Sequence, residues 1–159
     1  MGTNKLLQEM HEGSIWCGIS HFGIYDNAID IEWQSLLFER IPTITTSVED
    51  FKNSFQEIDT IELAKAILAA LLHKPMGHSM ELMPLDKANL LAGRFFSLFS
   101  KQALYFSNST WNENEYTGPD KDFEFGLSSW APLTELTFDS GIVICDNSKI
   151  GIIWFSEDD

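Results

Sequence analysis

Apolar residues follow two rhythms along this chain. Through the middle they recur every three or four positions, the period of a helix with one buried face. Past residue 103 they alternate or run in short β-branched and aromatic blocks, the signature of strands. Ile58–Leu72 is the clearest helix: Ile61, Leu68, Leu71 and Leu72 share a face, Asp59 and Glu62 suit its N-terminus, and four alanines favour helix intrinsically. A second helix is expected from about Leu85 to Ser100, with Leu90, Leu91, Phe95, Leu98 and Phe99 in one broad stripe and Arg94 at its edge. Shorter helices are expected over Ile31–Ile41, capped by Asp30 and stopped by Pro42, and after Ser47. There Ser47 and Asp50 make a capping box, and Val48, Phe51 and Phe55 share a face.

The remaining segments read as strands and connections. Ser14–Tyr25 is apolar and broken by Gly18 and Gly23, which suits one or two buried strands or an irregular entry to the core. Lys74–Pro84 carries Pro75, Gly77 and Pro84 and must be a loop. Ala103–Asn108 alternates like a strand, and Ser107–Lys121 is polar with a turn at Gly118–Pro119. Leu136–Ile144 and Ile150–Phe155 form a strand pair joined by a four-residue hairpin loop, Asp146–Lys149. The expected fold is α+β in a single domain over 1–159: helices from the middle of the chain packed on a small antiparallel sheet supplied largely by the C-terminal third.

Composition adds that a core forms without staples. The chain has 159 residues, 44% hydrophobic, with 12 Phe, 5 Trp and 3 Tyr; a disordered chain has neither that hydrophobicity nor those aromatics. Cys17 and Cys145 are far apart and read as buried thiols in a reducing compartment. The N-terminus lacks the apolar core of a signal peptide, and no apolar run is long enough to span a bilayer, so a cytoplasmic location is expected.

Charge changes the picture more. There are 24 acids against 10 bases, a net of −14. Residues 112–159 hold 11 acids and only Lys121 and Lys149, a net of −9, so the C-terminal third is the negative pole. Such a surface repels nucleic acid and anionic membranes and attracts basic proteins.

Candidate chemistry is sparse. His73 and His78, with Glu81 nearby, lie across a Pro/Gly loop without the helical or knuckle spacing of a metal site, and read as structural, as does His21 in its apolar stretch. Ser128–Ser129 lacks the second glycine of a nucleophile elbow and reads as a turn. Neither a phosphate-binding glycine motif nor HExxH occurs. Glu135 and Asp139 are conceivable as an acid and base, but paired carboxylates are common in so acidic a chain. No catalytic residue, cofactor or metal is expected. The aromatics of the C-terminal third interleave with acids instead. Phe123 and Phe125 suit the core, whereas Trp111 and Tyr116, ringed by Glu113, Glu115, Asp120, Asp122 and Glu124, suit a partner-binding surface with aromatic anchors and acidic steering.

The stretch from Trp130-Ala131-Pro132-Leu133 through Phe138-Asp139-Ser140-Gly141-Ile142-Val143-Ile144, followed by Ile150-Gly151-Ile152-Ile153-Trp154-Phe155, resembles the ending of small acidic immunity proteins of bacterial polymorphic and contact-dependent toxin systems. The resemblance implies a cytosolic, non-catalytic protein that occludes a cognate toxin domain, often a basic nuclease. The alternatives are an adaptor for another basic protein and, less favoured, an enzyme built on the carboxylates of the C-terminal third.

Overall fold

A computed structural model describes residues 2–14, 19–27, 32–41, 44–74, 81–112, 126–136 and 138–157, with Ser14, Ile19, Asn112 and Gly126–Ser129 described by their backbone alone. In chain order the elements are α1 (Thr3–Ser14), β1 (Ile19–Asp26), α2 (Trp33–Arg40), α3 (Val48–Asn53), β2 (Gln56–Ile58), α4 (Ile61–His73), α5 (Leu85–Phe96), β3 (Leu104–Ser107), β4 (Ser109–Asn112), β5 (Gly126–Trp130), β6 (Phe138–Cys145) and β7 (Lys149–Glu157). Five strands form an antiparallel sheet in the order β1-β7-β6-β3-β2, and β4 and β5 pair as a separate antiparallel ribbon. The architecture is α+β, and the C-terminal hairpin β6–β7 lies inside the sheet.

That hairpin is buried on both faces, which explains its nearly unbroken apolar sequence. Alternation sends Ile142, Ile144, Ile153 and Phe155 to one face, where α1, α4 and α5 cover them with Leu6, Met10, Leu68, Leu72, Leu91 and Phe95. Val143, Cys145, Ile150, Ile152 and Trp154 go to the other, under α2 and α3 with Leu37, Ile41 and Phe51. Burying each such side chain contributes about 1.5–3 kcal/mol, so either face alone is a substantial core. Two glycines let neighbours approach β6 and β7. A Cβ on Gly151 would run into the rings of Phe95 and Phe99, and one on Gly141 would meet the Ile153 carbonyl and the Trp154 ring.

Several helix limits follow from local chemistry. The hydroxyl of Ser47 accepts from the Asp50 amide at 3.1 Å, the expected start of α3. The Thr60 hydroxyl accepts from Leu63, so α4 begins at Ile61, and Ile58 belongs to β2 instead. The N-cap of α2 is Glu32, without a side-chain cap bond; Asp30 lies outside the described residues. Helix α5 ends at Phe96, and Leu90, expected in its buried stripe, is 54% exposed. Ser128–Ser129, expected as a turn, belongs to β5. Among the described residues no helix is long and apolar enough to cross a membrane.

Candidate functional site

The interior of the C-terminal third holds a polar node at the junction of the sheet and the β4–β5 ribbon. Asp139 and Ser140 of β6 are fully buried, as is Ser107 at the end of β3; Asn108 and Ser109 are nearly so. The Asp139 carboxylate accepts from the Trp154 indole N–H at 2.6 Å on one oxygen. Its other oxygen accepts from the amides of Leu133 and Thr134, at 2.9 and 2.6 Å. Asn108 donates to the carbonyls of Ala131 and Asp139, both at 2.8 Å, and Ser109 donates to the Asn108 side chain. The node therefore fastens the 131–134 segment, and through it the ribbon, to the middle of the sheet. Burial pushes the Asp139 carboxyl up, and the donors from Thr134, Trp154 and Leu133 oppose that rise.

Asp146 does comparable work at the other end of the hairpin. Its Oδ1 accepts from the amides of Ser148 and Lys149 and from the Ser148 hydroxyl, and its Oδ2 accepts from the Ser100 amide just beyond α5. Burial alone would raise this carboxyl, but those donors hold it at about 2. The neighbouring Cys145 thiol is pushed up to about 12 by burial and by the Asp146 charge, which makes it a poor nucleophile.

Three histidines are described, and each is engaged in the fold: His11 of α1 lies 3.1 Å from the Ser20 hydroxyl and edge-on to the Phe22 ring. His73 is buried and its Nδ1 donates to the Met83 carbonyl at 2.7 Å, closing the connection that follows α4. His21 on β1 lies 2.8 Å from the Tyr25 hydroxyl, with Tyr25 folded back over Gly23 and Arg40 above its ring; burial lowers the His21 pKa. Among the described residues no three His, Cys, Asp or Glu side chains are placed to hold a metal ion. His78 lies outside the described residues.

The structure separates the two carboxylates considered as an acid–base pair: Asp139 is buried in the node and Glu135 is exposed. Of the residues expected to meet a partner, Glu113, Glu115, Tyr116, Asp120, Asp122 and Glu124 lie outside the described residues. Trp111, expected to point outward, lies on β4 and packs its partly buried side chain against the α4–α5 core.

What sequence reasoning missed is where the described acids are exposed. Beyond residue 112, Asp139, Asp146 and Glu157 are buried and Glu135 alone among the described acids is exposed. Between Asp26 and Glu62, every described acid is exposed. That segment holds nine acids against Arg40 and Lys52, a net of −7, a density visible in the sequence had the charge been counted by segment. Comparisons with protein-family models, curated proteins and solved structures found no match for this chain.

Proposed function

We propose that this protein is a non-catalytic inhibitor that acts in the cytoplasm by binding a basic protein partner and covering its functional surface, as an immunity protein does with a toxin nuclease domain. The observation that carries this reading is the charge: a net of −14, with one continuous segment of the chain displaying all its described acids to solvent. A nuclease groove is basic because it receives phosphate, and an acidic inhibitor is attracted to the same groove. The buried carboxylates of Asp139 and Asp146 do not compete with this reading, because their oxygens hold backbone and indole donors of the fold. The residues that resemble immunity proteins largely form the central hairpin and its approach, so they support the scaffold, and binding rests on the charge.

The test is a pull-down with the product of the adjacent upstream gene, together with co-expression in cells. The expected result is a complex with a toxin domain that weakens as salt is raised, and rescue of the poisoned cells. A neighbour that is no toxin, or a complex indifferent to salt, overturns the reading. Salt-sensitive binding without rescue leaves the adaptor role in its place.

A further inference from the structure

We infer that the partner docks on the side of the molecule built by α2, α3 and the β2–β3 edge, and that the occupant is a basic protein surface; this rests on the binding role proposed above. The sheet face behind α2 and α3 is covered over β6 and β7 but only in part at its β2–β3 end. There Leu104 is 49% exposed on the face where Val143 and Cys145 are buried, and Phe106 is half-buried against Trp33, 4.8 Å between ring centroids. Val48, at the start of α3, is 43% exposed. The register sets Glu57 opposite Phe106, and its continuation past Ile58 brings Asp59 beside Leu104. Apolar surface with a carboxylate border is the anatomy of an interface whose desolvated centre is ringed by charges that select the partner.

The charge states the chemistry of that partner. The two cations of this segment are already engaged: Lys52 Nζ lies 2.9 Å from Glu32 Oε2, and Arg40 lies over the Tyr25 ring. Residues 32–59, which run through α2, α3 and β2, hold six acids against Arg40 and Lys52, a net of −4, whereas α1, α4 and α5 on the opposite face of the sheet hold four acids and four bases, a net of zero. The α2–α3 side is therefore the more acidic of the two, and a basic partner is drawn to it. Nucleic acid is repelled there. A second copy of the chain brings a like net charge of its own.

The experiment is an amide-shift NMR titration of the full chain with a short poly-lysine peptide at low ionic strength. The expected shifts concentrate on α3, β2, Leu104–Phe106 and the Trp33 indole. Combining Glu49→Gln, Asp50→Asn, Glu57→Gln and Asp59→Asn should weaken binding about tenfold, since each exposed pair contributes little alone. Combining Glu113→Gln, Glu115→Gln, Asp120→Asn, Asp122→Asn and Glu124→Gln should weaken it less. Shifts centred on residues 113–125, an equal or larger loss in that second variant, or salt-induced dimerisation through this face overturns the docking site. If a variant does not fold, the wild-type shift map decides. Binding at another surface leaves the inhibitor reading standing, whereas no binding of poly-lysine at low salt removes both.

Discussion

Asp139 and Asp146 sit at opposite ends of β6 and respond to acid in opposite senses. Asp146 is held below the ordinary carboxylate range at about 2. Its contribution is therefore complete above the unfolded pKa near 4 and is lost as pH falls from about 4 to about 2. That shift corresponds to stabilisation on the order of 2 kcal/mol at neutral pH. Asp139 is raised, so its ionisation costs stability as pH climbs through its folded pKa, and protonating it in acid offsets part of the Asp146 loss. Asp146→Asn should lower stability at neutral pH by about that amount and flatten the decline between pH 4 and pH 2. Thermal unfolding across that range reads both effects, and an Asn variant with an unchanged acid limb would assign the limb to other groups.

At the scale of elements, the two glycine environments make opposite predictions. Gly141 lies where Trp154 crosses β6, with the Trp154 Cα 2.8 Å from where a Cβ would stand. Gly141→Ala should destabilise by about 1–3 kcal/mol or more, because the nearest atom is the backbone carbonyl oxygen of Ile153 and the next belongs to the packed Trp154 ring. Gly93 lies inside α5 with nothing within 4 Å of its missing Cβ, so Gly93→Ala should stabilise by roughly 0.5–1 kcal/mol. Urea denaturation of the two variants checks both signs. The elements themselves were unevenly legible. Periodicity marks α4 and most of α5, the Ser47 cap marks α3, and β-branched runs mark β6 and β7. Helix α1 escaped because only Leu6 and Met10 of it are buried, too few to show a period. Strand β2 has three residues, two of them exposed, and exists through its pairing with β3, a non-local cause. Leu90 reads as core because an apolar residue announces itself and its exposure does not. The candidate site was least legible: the acid count was plain, yet nothing local marked Asp139 as the acceptor of three donors or Glu157 as buried.

For the whole molecule, the sheet order ties together parts that lie far apart in the chain. Among the described residues, strand β1 is an edge of the sheet and pairs there with β7 alone, across separations of 123 to 137 residues. Strand β7 also supplies side chains to both cores. Helices α4 and α5 precede β6 and β7, whose faces they cover, and β3 precedes β6, with which it pairs. Synthesis at about 5–20 residues per second leaves β1 waiting roughly 6–27 s for its partner. During that interval Phe22 and Ile24, which later pack on the helical core, have no β7 to lie beside. Limited proteolysis of stalled nascent chains should find β1 cleavable until β7 has emerged, and protection of β1 in shorter chains would refute the order. The strand that welds two hydrophobic faces into one sheet is thus also a clock: the protein acquires its form late, in a closing step governed by the time of arrival of a single segment.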